Sequence, residues 1–266
     1  MTQRLAFVGG GRMGEALIAG AVRGSVAASD VVVVEPVIDR CAFLTEEYGI
    51  KATVDMDAVA GAEIVVLAVK PDLIAAVCSQ IAPHLRADVL VVSVAAGITT
   101  AALETALPDG TAVVRVMPNT PAFVGEGMSV MSAGRLATDE DLDRAETLLA
   151  GVGKVLRVPE SKQDAVTAVS GSGPAYFFYL VEAMAEAGVQ LGLTRDIARD
   201  LAVQTAVGAA AMMRETGEHP VVLRENVMSP GGTTAAAIRE LEAHGVRGAV
   251  YAALDAARRR SSELSS

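Results

Sequence analysis

The chain has no tryptophan, and phenylalanine and tyrosine leave aromatics at only 3% of its 266 residues. Its core must therefore be built from Ala, Val, Leu and Met, small side chains that suit close packing of helices. Cysteine is scarce: Cys41 and Cys78 are the only two, and they show no metal-ligand spacing. Each falls in a predicted helix, where a small buried hydrophobe is the expected role, and nothing calls for an oxidising compartment. The three histidines, His84, His219 and His244, lie outside every motif and read as surface or structural groups, so no metal is expected. An excess of basic charge is also lacking. The formal net charge of -10 excludes a general nucleic-acid surface, because a protein that tracks phosphates needs a basic footprint. No uninterrupted apolar run is long enough to span a bilayer, and Glu182 and Glu186 interrupt the most apolar helical stretch. Leu5-Ala6-Phe7-Val8 is too short for the core of a signal peptide and runs straight into glycines. The expectation is an acidic cytoplasmic protein with neither nucleic acid nor membrane among its partners.

What is present divides into two halves. Residues 1–158 alternate short apolar runs with helical segments, the pattern of a parallel sheet with helices on both faces. Strands are predicted at Leu5–Val8, Val31–Glu35, Ile64–Val69, Val89–Val94 and Thr111–Val116, with less regular ones at Met128–Met131 and Lys154–Val158. Helices are predicted at Met13–Arg23, Asp39–Tyr48 and Leu73–Ile81. Residues 159–266 show no strand pattern and read as helices over Pro174–Leu191, Arg195–Glu215, Val221–Val227, Thr234–Ala243 and Val246–Leu264. Gly192, Gly217 and Gly245 fall where helix ends are expected, and Thr194 and Ser229 fall near starts.

Gly9-Gly10-Gly11-Arg12-Met13-Gly14 matches G-x-G-x-x-G between a predicted strand and a predicted helix. In such a fingerprint Gly9 permits the tight turn, Gly11 lets a pyrophosphate approach the backbone, and Gly14 lets helix and strand pack closely. Glu35 stands at the end of the second strand, at the spacing of an acid that binds a ribose hydroxyl pair. That placement leans towards NADH, while Arg40 or Arg12 can offset repulsion of the extra phosphate of NADPH, so both cofactors stand. Three further segments follow strands at the carboxyl end of the sheet, where doubly wound folds bind ligands. They are Ala68-Val69-Lys70-Pro71, the small-residue loop Ala95-Ala96-Gly97, and the stiff loop Met117-Pro118-Asn119-Thr120-Pro121, which can present the Asn119 amide to a nicotinamide.

Two features of the second half point to function. The helix Pro174–Leu191 is apolar around most of its circumference, with Tyr176, Phe177, Phe178 and Tyr179 on successive faces, so it belongs in the middle of an assembly. A homodimer through the C-terminal helices is expected. Ser229-Pro230-Gly231-Gly232-Thr233-Thr234 opens another helix with amides and hydroxyls facing outward, a seat for a carboxylate or phosphate. Taken alone, the turn equally fits an ordinary serine or threonine helix cap.

Together with Phe7–Gly14, Val69-Lys70-Pro71, Met117–Pro121, the Ala168-Val169-Ser170-Gly171-Ser172-Gly173-Pro174-Ala175-Tyr176 run and Ser229–Thr234, the chain resembles the pyrroline-5-carboxylate reductases over essentially its whole length. The last two motifs are far more specific than the first. The resemblance implies a Rossmann-type doubly wound α/β domain over residues 1–158. It also implies an all-α dimerisation and substrate-binding domain over residues 159–266, in dimers that some members assemble into pentamers. The implied reaction is reduction of the cyclic imine 1-pyrroline-5-carboxylate to L-proline, the last biosynthetic step, with NADPH or NADH. Members commonly prefer NADPH and carry a hydroxyl or basic side chain near the end of the second strand, where this chain has Glu35-Pro36. An imine protonated on nitrogen already accepts hydride well, which suits a chain whose motifs hold no strong acid or base. On this footing the substrate carboxylate is assigned to Gly231, Gly232 and Thr233 with help from Ser229, and Thr234 is placed at the ring nitrogen as the catalytic residue. A reductase of another small cyclic imine or keto acid, and a non-catalytic nucleotide-sensing dimer, are the alternatives.

Overall fold

A computed structural model describes residues 4–24 and 26–264. The chain divides into two compact units, one of Met1–Ser172 with Ala257–Ser266, the other of Gly173–Ala256.

The first unit is built on one sheet of eight strands among the described residues. They are β1 (Leu5–Val8), β2 (Val31–Val34), β3 (Lys51–Thr53), β4 (Ile64–Leu67), β5 (Leu90–Ser93), β6 (Ala112–Met117), β7 (Gly127–Ala133) and β8 (Gly153–Arg157). Their order is β3-β2-β1-β4-β5-β6-β7-β8, parallel except where β7 runs antiparallel to β6. Leu5 is in register with Val31 on one side and Ile64 on the other, so β1 and β4 flank the point where the chain reverses its direction of travel across the sheet. Helices α1 (Arg12–Arg23), α2 (Ile38–Tyr48), α3 (Ile74–Ile81), α4 (Thr100–Ala106) and α5 (Asp139–Ala150) make the connections. The central strands read as unbroken apolar runs because both sheet faces are covered. Leu5 and Phe7 pack with Leu17, Leu44 and Leu149, whereas Ala6 and Val8 face the opposite way, among Val65, Leu67 and Ile81. Cys41 and Cys78 are both buried in helices, as expected of small hydrophobes, and burial pushes the Cys78 thiol up to about 11.

Local sequence accounts for the helix ends. Thr138 and Asp141 form a reciprocal capping box at the start of α5, and Thr99 caps α4 through the Ala102 N–H. The short α6 (Gln163–Val166) leads into a wide turn at Thr167–Gly171.

The second unit is helical: α7 (Gly173–Gln190), α8 (Arg195–Thr216), α9 (Pro220–Asn226), α10 (Thr233–Ala243) and the first turns of α11 (Val246–Leu264). Thr194 caps α8, whose other end is closed by Gly217 in the left-handed conformation. Gly188 of α7 leaves room for Ala198 of α8; a β-carbon on it would stand 3.0 Å from the Ala198 methyl. Among the described residues, Ala198 and Ala202 are the only buried hydrophobic side chains of this unit. Phe177, Phe178, Tyr179 and Leu180 on α7, like Leu201 and Val207 on α8, are exposed in the single chain. An apolar surface of that extent marks an association face. No helix of the described residues is long and apolar enough to cross a membrane. The end of α11 belongs to the first unit, where Ser261 donates to Asp164 at 2.7 Å.

Candidate active site

The turn between β1 and α1 is shaped by where β-carbons cannot go. Gly9 has φ +103°, and a β-carbon on it would stand 2.7 Å from the carbonyl oxygen of Ala68, the residue that follows β4. One on Gly14 would overlap the carbonyl of Gly9. Gly11 is the opposite case, with no atom within 4 Å of its absent side chain. It is also the N-cap of α1, without a side-chain hydrogen bond to the helix start. Tight packing at Gly9 and Gly14 around an open backbone at Gly11 is the cradle a pyrophosphate requires, at the positive end of a helix and outside the carboxyl ends of the strands. The residues present therefore fit a dinucleotide.

Glu35 directly follows β2; the residue is only 8% exposed, and its carboxylate is bound to backbone. Its Oε2 accepts the Gly10 N–H at 2.8 Å and its Oε1 accepts the Val37 N–H at 3.1 Å. Arg40 donates from Nε to the Gly10 carbonyl at 2.7 Å and from Nη2 to Glu15 on α1. Tyr48 donates its hydroxyl to the other Glu15 oxygen at 2.9 Å. Burial raises the Glu15 carboxyl, but the hydrogen bonds from Arg40 and Tyr48 and the Arg40 charge outweigh it, so the carboxyl titrates below its ordinary value. Burial and the Glu15 carboxylate together push the Tyr48 hydroxyl up to about 12. Gly10, Glu15 and Tyr48 were not singled out from the sequence. The run of three glycines was a signal for Gly10, whose β-carbon would stand 2.5 Å from the Leu44 side chain. Glu15 and Tyr48 left none, since each reads as the polar face of a helix.

The other residues that the sequence assigns to a cofactor lie in the first turn of α1 and on the loops after β4, β5 and β6. Arg12 is exposed, with its guanidinium 5.1 Å from the Phe123 ring, and Met13 beside it is half-buried. Ala68 and Val69 are half-buried, whereas Lys70 is exposed and leads into Pro71, which opens a single turn of helix. Ala95 is buried and Ala96 exposed; the next residue, Gly97, has φ +78° and packs against the end of α11, where a β-carbon would stand 2.9 Å from the Leu264 carbonyl oxygen. Asn119 uses its amide within the protein. Its Nδ2 donates to the Ser170 carbonyl at 3.2 Å, and its Oδ1 accepts the Met128 N–H at 2.8 Å, fastening the loop after β6 to Ser170 and to β7.

In the second unit, the Ser229–Thr234 turn opens α10 without a side-chain cap. The N-cap is Gly232 rather than Ser229, and no hydroxyl bonds to the first helical amides. Gly231 adopts φ +72°, a left-handed conformation that suits glycine, and the Gly232 N–H closes the turn onto the Ser229 carbonyl at 3.0 Å. The Ser229 hydroxyl lies against the Gly232 α-carbon, where a β-carbon would overlap it. Thr233 is exposed and Thr234 half-buried. A helix start with neither a side-chain cap nor a β-carbon at its two preceding positions leaves its amides available to an outside carboxylate.

Residues 160–264 match the family model described as pyrroline-5-carboxylate reductase dimerisation, and residues 4–97 match that described as NADP oxidoreductase, coenzyme F420-dependent. A pyrroline-5-carboxylate reductase of Corynebacterium melassecola is 48% identical over 264 residues, covering 98% of each chain. The chain belongs to the pyrroline-5-carboxylate reductase family.

Solved structures agree. The pyrroline-5-carboxylate reductase of Coxiella burnetii is 38% identical with a TM-score of 0.95, covering 100% of both chains. The Plasmodium falciparum enzyme, solved with NADP bound, is 29% identical with a TM-score of 0.88, covering 99% of this chain and 98% of its own. Pyrroline-5-carboxylate reductases are NAD(P)H-dependent oxidoreductases, and the Rossmann-type sheet followed by a helical dimerisation region is what this family's fold requires. The dimerisation match over 160–264 supports an oligomer, and α7 with its exposed apolar side chains lies within the matched residues.

Proposed function

We propose that the protein is a pyrroline-5-carboxylate reductase that reduces the C=N bond of 1-pyrroline-5-carboxylate to give L-proline. NADH or NADPH, when bound, supplies the hydride. The observation that carries this reading is the 48% identity extending over 98% of both chains, which takes in the glycine cradle and the Ser229–Thr234 turn together. Gly9, Gly11, Arg12, Met13 and Gly14 hold the pyrophosphate. Glu35 and Arg40 face the ribose, and Ala68 to Pro71, Ala95, Ala96 and Asn119 shape the loops beside the nicotinamide. The backbone of Gly231, Gly232 and Thr233 binds the substrate carboxylate, with Ser229 shaping the turn. Thr234 orients the imine nitrogen. Because the protonated imine is already electrophilic, these residues act chiefly by alignment and by excluding water, effects that reach several kcal/mol, ~7–11 at the upper range.

Residues 1–158 form the cofactor-binding domain and residues 159–266 the substrate-binding and dimerisation domain. The working form is a cytoplasmic homodimer that can assemble further into a decamer, and its acidity keeps it off nucleic acid. Initial rates with 1-pyrroline-5-carboxylate and each nicotinamide cofactor test the reading. Turnover of the six-membered cyclic imine at higher kcat/KM than the five-membered one would assign the protein to a different substrate.

A further inference from the structure

The groups around Glu35 form a charge arrangement whose outcome for the cofactor can be read from the geometry. Val37 is the N-cap of α2, and its N–H points at the Glu35 carboxylate, which also holds the Gly10 N–H. A helix start next to a glycine cradle would ordinarily draw an anion from outside. Here the chain's own buried carboxylate takes that place.

Arg40 is the cation closest to it along α2, and the Nε–Nη2 edge of its guanidinium is already committed. Nε holds the Gly10 carbonyl and Nη2 pairs with Glu15, in an ion pair whose two side chains are 27% and 22% exposed. Its planar group also lies 4.9 Å from the Phe43 ring. Glu15 in turn is fixed by the Tyr48 hydroxyl on its second oxygen. Neutralising Arg40 with Glu15 leaves the Glu35 charge without a counter-ion of its own among the described residues, and Asp39, exposed in the first turn of α2, adds another carboxylate. Arg12 is exposed over Phe123 and makes no ion pair with Glu35. A phosphate monoester on the ribose would bring roughly 1.5 to 2 further negative charges into this neighbourhood.

We propose that the enzyme selects NADH over NADPH, and that Glu15 is a positioning residue for this choice because it holds Arg40 away from the role of phosphate counter-charge. The inference rests on the dinucleotide reading of the glycine cradle given above. It departs from the NADPH preference common in the family through an ion pair on α1 rather than through the end of β2 alone.

The test is titration of the full-length oligomer with NADH and with NADPH by calorimetry, alongside kcat/KM for each with 1-pyrroline-5-carboxylate. The wild-type protein is expected to favour NADH by about tenfold or more, the scale of one uncompensated charge in a half-buried site. Glu15→Gln releases Arg40 and should shrink the ratio of the two affinities several-fold, whereas general damage to the fold would weaken both cofactors alike. Raising the salt concentration on the unaltered protein should shrink the same ratio by screening the repulsion, which keeps the test open if the variant fails to fold. Equal or tighter binding of NADPH by the wild type would overturn the proposal. An affinity ratio unchanged in a folded Glu15→Gln protein would remove Glu15 from it. Binding of neither cofactor would overturn the dinucleotide reading itself, an outcome distinct from an inverted preference.

Discussion

Gly14 and Gly9 meet with no room for a β-carbon between them, since one built on Gly14 overlaps the Gly9 carbonyl oxygen. This contact lets α1 begin directly at the end of β1 and aims the helix start at the space above Gly11. Two alanine substitutions separate packing from binding. Gly14→Ala must push the turn apart, and should lower both stability and cofactor affinity, the former by roughly 1–3 kcal/mol. Gly11→Ala meets nothing within 4 Å and keeps a φ of -65° that alanine adopts freely, so stability should change by no more than about 0.5 kcal/mol. Its methyl group projects into the cradle, and cofactor affinity should fall about tenfold or more in spite of an intact fold. Thermal unfolding and cofactor titration on the two proteins check the pair. Unchanged cofactor affinity in Gly11→Ala would place the pyrophosphate elsewhere.

Thr234 lies in the first turn of α10, half-buried, with its hydroxyl outside any capping bond to the helix. Removing it should therefore leave the helix start as it is while depriving the imine nitrogen of a partner. Thr234→Ala is expected to lower kcat ~10²-fold with cofactor affinity unchanged, and Thr234→Ser to recover most of the loss. Full turnover in Thr234→Ala would confine this residue to holding the substrate in place.

Glu160, just before α6, receives the Thr100 N–H at 2.8 Å, the Thr100 hydroxyl at 2.6 Å and the Arg115 guanidinium at 3.0 Å. Burial raises its carboxyl, but these donors together bring it below the ordinary range. A depressed folded-state value means that the carboxylate stabilises the fold above its unfolded-state value and loses that contribution as pH falls through the folded one. Glu160→Gln leaves Arg115, only 5% exposed, without a counter-charge, and should cost roughly 1–3 kcal/mol at neutral pH. The gap between wild type and variant should hold above about pH 5 and close in more acidic solution. Denaturant unfolding across that range checks it, and a gap as wide at pH 3 as at pH 7 would show that the carboxylate charge is not its source.

Much of this architecture is legible in the sequence because the physics that forms it is local. Leu5–Val8 and Ile64–Leu67 are buried on both faces and must be continuously apolar, so they read as strands without help. The β3 strand, Lys51–Thr53, has three residues at the sheet edge with its first one exposed, and carries no pattern that distinguishes it from a loop. The antiparallel direction of β7 is likewise invisible, since alternation does not record polarity. The site shows the same division. Glycines declare themselves by type, but the Glu15–Arg40 pair and the Asn119–Ser170 bond join residues 25 and 51 positions apart, and only the fold brings those together. The start of α10 fell between the two cases. Ser229 has the chemistry of a cap, but the left-handed Gly231 carries the chain past it and leaves Gly232 at the cap position.

The apolar face of α7 makes the assembly itself testable. Phe178 is 67% exposed in the single chain and Tyr179 75%, while the unit that carries them buries scarcely any large apolar side chain of its own. A phenylalanine moved from water into an interface is worth roughly 1.5–3 kcal/mol, so two symmetry-related copies contribute twice that to a dimer. A carboxylate at the same position would instead have to be desolvated twice over against apolar surroundings. Phe178→Glu is therefore expected to turn the oligomer into monomers at micromolar concentration, as read by light scattering. The helical unit should lose stability along with the contact, because its apolar residues have so little to cover them within one chain. The sheet unit has complete cores on both faces and should keep its cofactor affinity. A Phe178→Glu protein that remains a dimer of unchanged stability would move the interface off this face of α7.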